Sequence, residues 1–169
     1  MAARWGNCDF RQLQKLQQNM QKLESVDLDL FCKQCAKELA ARLLRKAIKR
    51  TPVGQYPSST GKVGGTLRRG WTGGKKVNVK SYVNSLPITK IGTNYHIEII
   101  NLTEYSSYVE FGHRQEPGRF VPVIGKKLKK GWVKGRFMLT ISEMELESQA
   151  ERIIEKKLIK FLGEYFNGE

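Results

Sequence analysis

The 169 residues contain no long hydrophobic run; the densest apolar stretches are short and interrupted, as in Ile97-Glu98-Ile99-Ile100. A membrane-spanning helix needs about 20 consecutive apolar residues, so a spanning helix is excluded. Cysteine is scarce and odd in number, three in all, which argues against a disulfide framework and for a reducing compartment. The opening Met1-Ala2-Ala3-Arg4-Trp5-Gly6-Asn7 places no apolar stretch behind its charge, so no secretory signal is expected. Acidic residues are missing over one long interval, with none between Glu38 and Glu98. At 40% hydrophobic residues the chain is too apolar for a disordered basic tail. Its length suits one domain over 1–169, burying roughly 68–70% of its extended-chain surface.

What the sequence does have is positive charge. Thirty Lys and Arg face 16 Asp and Glu, a formal net charge of +14. Residues 1–50 carry +6, residues 51–100 carry +6, residues 101–136 carry +5, and residues 137–169 carry −3. The acid-free interval holds Lys62, Arg68, Arg69, Lys75, Lys76 and Lys80, and a second basic run is Lys126-Lys127-Leu128-Lys129-Lys130. Such a balance calls for an acidic partner: nucleic acid, an anionic membrane surface or an acidic protein. Arg45, Lys46, Lys49 and Arg50 have a local explanation as well, because cations near a helix C-terminus complement its dipole.

Hydrophobic spacing places the elements. Leu13, Leu16, Met20 and Leu23 predict an amphipathic helix over 9–23 within an N-terminal extension (1–25), capped by Asp9 with Gln12. A second helix is expected over 28–50, with Asp27 as cap and Thr51-Pro52 as its end, since the residue before proline avoids the helical region. Residues 51–66 are a turn-rich loop. Residues 66–112 read as a sheet region: a hairpin of Thr66–Trp71 and Lys75–Val83, a short strand at Pro87–Ile91, and the best strand at Tyr95–Asn101. Tyr105–Phe111 fits a short helix or a strand. Residues 113–131 form a second long basic loop whose apolar island is Phe120–Ile124, and a last helix covers 136–166. The expected fold class is α+β: a small, mostly antiparallel sheet of three to five strands packed with two long helices, and two long basic loops.

The chemistry-bearing residues are sparse. Cys32 and Cys35 form a lone C-x-x-C, but the remaining candidates Cys8, His96 and His113 lack zinc-finger spacing. The pair sits on an apolar helical face, where free thiols behave as small hydrophobes. His113 follows Glu110-Phe111-Gly112; a His–Glu pair suits acid–base work, although no nucleophile or second acid accompanies it, and an interaction residue at the start of a loop is the plainer reading. Gly61-Lys62 is followed by Val63, where a phosphate loop needs Ser or Thr. No cofactor is expected, and no enzyme. Basic loops with Tyr56, Trp71, Tyr82 and Trp132 nearby are compatible with nucleic-acid binding, without a recognised nucleic-acid motif.

Three stretches in order carry a resemblance. The first runs from Arg50-Thr51-Pro52-Val53 to Gly61-Lys62 and Gly65-Thr66-Leu67-Arg68-Arg69-Gly70-Trp71. The second is Asn101-Leu102-Thr103-Glu104-Tyr105-Ser106-Ser107-Tyr108-Val109-Glu110-Phe111-Gly112-His113-Arg114. The third is Gly131-Trp132-Val133-Lys134-Gly135-Arg136-Phe137-Met138-Leu139. Together, over about residues 28–162, they resemble the tailed-bacteriophage neck family named after gene product ten of a lambdoid phage, whose members are described as head–tail joining or tail-completion proteins. Two departures are the spacer Gly54–Gly65, which is expanded here, and Lys134, which stands where many relatives have proline.

The resemblance implies a non-enzymatic virion protein of the neck, assembled in the host cytoplasm. It implies a homo-oligomeric ring, commonly of six copies, between a head connector or adaptor and a tail terminator or tail-tube protein, with no membrane partner. Thr51, Pro52, Gly61, Leu67, Trp71, Tyr105, Tyr108, Glu110, Gly112, Gly135, Arg136 and Phe137 are its motif positions, with structural roles. Two roles stay open for Lys62, Arg68, Arg69, Lys75, Lys76, Lys80, His113, Arg114, Lys126, Lys127, Lys129 and Lys130: non-specific contact with genomic double-stranded DNA in the channel, or docking on acidic neighbours. The alternative is a free-standing basic nucleic-acid-binding protein.

Overall fold

The computed structural model describes residues 14, 15, 17, 18, 20, 21, 28–56, 58–122 and 125–166. It is α+β, with two long helices and short antiparallel strand pairs. The described residues between 14 and 21 are helical, as the 9–23 pattern predicts. Leu13, Leu16, Leu23 and the caps Asp9, Gln12 and Asp27 lie outside the described residues, as do Cys8, Val123 and Ile124.

Chain contacts divide the protein into two compact units: residues 1–35 with 151–169, and residues 36–150. In the first, the rings of Phe31 and Phe161 stack with centroids 4.6 Å apart, and Lys157 Nζ donates to the Gln34 carbonyl at 3.3 Å.

The second unit holds the core. Helix α1, Leu28–Arg50, has Asp29 in its first turn and Lys49 and Arg50 in its last, each sign placed where the dipole favours it. Ala40, Ala41, Leu44 and Ala47 are buried on one helical stripe, and the alanines let neighbouring backbone come close. Helix α5, Met138–Phe166, buries Met138, Ser142 and Leu146, four residues apart and so on one face.

Between these helices the hairpin expected from Thr66–Trp71 and Lys75–Val83 is absent. Thr66–Gly70 is helix α2 and Val79–Ser85 is helix α3. The buried residues explain the difference: Leu67, Gly70 and Trp71 recur at three and four, the period of a helix and not of a strand. Val79, Tyr82, Val83 and Leu86 do the same around the core. Asn78 supplies the cap that the strand reading overlooked, its side chain accepting from Lys80 N at 2.8 Å.

Strands β1 (Thr89–Ile91) and β2 (Asn94–His96) form a hairpin in which Lys90 opposes Tyr95. The strand expected over Tyr95–Asn101 pairs only as far as His96. Ile97 and Ile99 go on packing against the core while Glu98 and Ile100 stay exposed, so the segment keeps a strand's alternation with no strand pairing among the described residues. Tyr105–Phe111 resolves as a helix, α4, Ser106–Phe111.

The expected loop over 113–131 is ordered as a ribbon. Strands β3 (Gly112–Arg114) and β6 (Trp132–Lys134) pair antiparallel, with His113 opposite Val133. Strands β4 (Phe120–Val121) and β5 (Lys126–Lys127) pair further out, with Phe120 opposite Lys127. Gln115 N to Gly131 O at 2.9 Å and Leu128 N to Arg119 O at 2.9 Å tie the two ladders together. The alternation of polar and apolar residues here is too irregular to betray strands, because almost no face of the ribbon is buried.

Candidate functional site

The motif residues converge on two junctions. At the first, Thr51 closes α1. Its hydroxyl donates to the Ala47 carbonyl at 2.7 Å and accepts from Trp71 Nε1 at 2.7 Å. The Thr51 carbonyl accepts from Arg68 Nη2 at 2.8 Å. Leu67 and Trp71 are buried beside it, and Pro52 is half-buried. Asn101, the end of the expected strand and the start of the second motif stretch, locks the junction from the far side, a role its position in the sequence does not signal. Its amide donates to Leu67 O at 2.9 Å and its oxygen accepts from Thr103 N at 3.0 Å. Gly70 is required there, because a Cβ would run into the Asn101 and Thr103 side-chain oxygens.

At the second junction Glu110 holds the start of α5. Its buried carboxylate accepts from Leu139 N at 3.0 Å, Thr140 N at 2.9 Å and Thr140 Oγ1 at 2.9 Å. These amides belong to the first turn, which has no partners within the helix, and negative charge is favoured at that end. Glu110 is thus a cap supplied from another helix, and it has no hydrogen bond to His113 among the described residues. Gly112 and Gly135 pass at van der Waals contact, where a Cβ on either would strike the opposite backbone. Phe137 takes a left-handed backbone, φ 48°. It is held by Phe137 N to Glu110 O at 3.0 Å and by Arg136 N to Val109 O at 2.8 Å. Tyr105, Tyr108 and Arg136 are exposed, and Gly61 stands in open space.

The cations fall into two groups. Lys62, Lys75, Lys76 and Lys80 are exposed along the α2–α3 segment, whereas Arg68 and Arg69 are half-buried. Arg69 Nη1 donates to Gly64 O at 3.3 Å, so both arginines serve the fold of their own segment. The second group lies on the ribbon, where Arg114, Lys126, Lys127, Lys129 and Lys130 are exposed. His113 sits at the ribbon's root, edge-on to Tyr108 with centroids 5.8 Å apart. Its Nε2 is 3.2 Å from Gln115 Nε2, and its Nδ1 is enclosed without a partner among the described residues. A cleft of about 760 Å³ runs along this face, between His113, Arg119, Phe120 and Leu128.

A third set of residues links the two long helices. Lys46 Nζ reaches Glu145 at 2.8 Å, Arg50 pairs with the same carboxylate, and Arg50 Nη1 donates to Ser142 Oγ at 3.1 Å. The Lys46 hydrogen bond, aided by Arg50 and opposed by partial desolvation, lowers the Glu145 carboxyl below its ordinary value of 4.5. Nothing along the chain signals this pairing, because its partners are nearly a hundred residues apart.

Cys32 is half-buried and Cys35 buried. No cluster of three or more His, Cys, Asp or Glu gathers among the described residues, and none of their helices is long and apolar enough to cross a membrane.

A family model described as "Bacteriophage HK97-gp10, putative tail-component" matches residues 14–112. No curated protein and no solved structure matches the chain. The match covers the Thr51 junction and runs through Glu110 and Gly112. Gly135, Arg136 and Phe137 lie beyond it, joined to it in space by the Glu110 cap and the Gly112–Gly135 contact.

Proposed function

The chain belongs to the HK97-gp10-like family of phage tail components, and from that premise we propose that it is a structural protein of the virion neck. In this reading it completes the tail and joins it to the head connector, as a homo-oligomeric ring around the DNA channel, and it performs no catalysis. The observation that carries the reading is the use of the family-matched residues. Thr51, Trp71, Glu110 and Gly112 serve two structural junctions, and exposed lysines suited to docking stand elsewhere, at Lys75, Lys76 and Lys80 and along the ribbon.

The exposed cations serve as clamps on acidic neighbours, the head connector or adaptor on one side and the tail terminator or tail tube on the other. Charge complementarity of this kind sets register. A phage with an amber mutation in this gene is expected to accumulate filled heads and separate tails, and the purified chain added to that lysate is expected to restore joined particles. Normal particles from the mutant, or absence of the chain from purified virions, would sink the proposal.

A second role, contact with passing DNA, is favoured by the exposure of Lys75, Lys76 and Lys80 in the acid-free interval. Reversing these three charges separates the roles, and they suit the test better than Arg68 or Arg69, whose side chains hold the fold. Clamping predicts that heads and tails fail to join. Channel contact, or a free-standing nucleic-acid-binding protein, predicts instead normal joining, altered DNA retention, and duplex binding that falls steeply with salt.

A further inference from the structure

The ribbon Gly112–Lys134 has little core of its own. Nearly all its described residues from Arg114 outward are exposed, Phe120 at 55%. It carries seven cations against the single carboxylate Glu116. A two-stranded ribbon alone in water is marginal, so a ribbon this long and this charged gains from being covered. Among the described residues of its outer half, Phe120 is the large apolar group exposed, with Arg119 beside it and Lys127 directly across the ladder.

The same unit carries a recess of complementary character. A notch of about 320 Å³ opens between Ile99, Ile100, Phe111, Met138 and Leu139, with Glu143 on its rim. Ile100 and Phe111 are 50% and 62% exposed, and Met144 beside Glu143 is 66% exposed. Glu147 stands one turn further along α5, also exposed. The notch is large enough for an aromatic ring, and its acidic rim suits a ring flanked by cations.

We propose that the ribbon of one copy docks on a second copy of this chain. Phe120 fills the notch beside Ile100 and Phe111, and Arg119 and Lys127 meet Glu143 and Glu147. Knob and notch are different surfaces of one chain, so the contact is head-to-tail, the kind that propagates and closes into a ring when the rotation allows. A buried aromatic anchor supplies the affinity, and the surrounding charges fix orientation and make the association salt-sensitive. The inference rests on the reading of the chain as an assembling virion component and gives that assembly a named contact.

The test uses the full chain. Wild-type protein is expected to show concentration-dependent association by sedimentation velocity at low salt. Phe120→Ala and Glu143→Arg are each expected to weaken it about tenfold or more, with thermal melts unchanged because both residues are exposed. Mixed together, the two variants keep one intact pair, the ribbon of the Glu143→Arg copy on the notch of the Phe120→Ala copy. They are expected to form heterodimers and nothing larger. A wild-type chain that stays monomeric at every concentration, variants that associate like wild type, or a ribbon that binds duplex DNA in place of its own chain overturns the docking. The two ideas fail separately. Infectious virions carrying Phe120→Ala at wild-type level sink the docking and leave the neck reading intact. Absence of the chain from virions sinks the neck reading, and sedimentation still decides the docking.

Discussion

Thr51 is small, fully enclosed and joined to three other parts of the chain: the last turn of α1 through Ala47, the indole of Trp71, and the guanidinium of Arg68. Valine has nearly the same shape but no oxygen. Thr51→Val therefore leaves the Trp71 N–H buried beside a methyl group, and a buried donor without a partner costs about 1–3 kcal/mol. Thr51→Ser keeps the hydroxyl and loses one methyl, worth about 0.8 kcal/mol. Urea unfolding of the two variants is expected to rank valine clearly below serine. Equal losses would mean that packing, and not the Trp71 hydrogen bond, holds the junction. The sequence marks Thr51 as the residue before a proline and as a motif position, without naming its partners. That the same residue would receive an indole from twenty positions away follows from α2 being a helix, which turns Trp71 inward.

Among the elements, the ribbon depends on its root. Gly112 has φ 87° and ψ 174°, a backbone essentially confined to glycine, and Gly118 has φ 89°, so an alanine is strained at either, by roughly 1–3 kcal/mol. Their surroundings differ. A Cβ at Gly112 collides with Val133 and Gly135 backbone, while one at Gly118 meets nothing within 4 Å. Overpacking adds roughly 1–3 kcal/mol, so Gly112→Ala is expected to cost roughly 2–6 kcal/mol in total and Gly118→Ala only the backbone share. Limited proteolysis is expected to cut the ribbon sooner in the first variant than in the second; equal cutting would show that the Gly112 approach does not hold the root. The long helices were legible in the sequence because each buries one face over many turns, so their period survives local exceptions. The short elements were not. Helices α2 and α3 have five and seven residues, too few turns for the three-and-four spacing of Leu67, Gly70 and Trp71 to stand out. The ribbon carries no period to read, since most of its residues face water. The motif residues were legible as a set, but their meeting in space required the structure. Glu110 and Leu139 lie twenty-nine positions apart, and neither signals the cap by itself.

At the scale of the whole molecule, a net charge of +14 works against compactness, and Glu143, Glu145 and Glu147 of α5 offset part of it. Glu145 is where the two signs meet within the fold, taking Lys46 and Arg50 from α1. Its carboxyl is lowered below 4.5, first by the Lys46 hydrogen bond. A group whose folded pKa lies below its unfolded value adds stability that is fully present above the unfolded value and is lost as pH falls through the folded one. Glu145→Gln removes that contribution and leaves a neutral amide of similar size between two cations. The variant is therefore expected to melt lower than wild type at pH 7, by a small margin because the carboxylate is solvent-screened. The gap should hold down to about pH 4.5 and close below it, as the wild-type carboxyl takes up its proton. Melting curves at pH 7, 5, 4 and 3 test this. A gap unchanged at pH 3 would mean that the amide perturbs packing and that the ion pair contributes nothing; a gap absent at pH 7 would mean that the α1 cations are satisfied by water. The expected pattern would make acid, which also raises the net positive charge, act on the chain by loosening the tie between its first and last long helices.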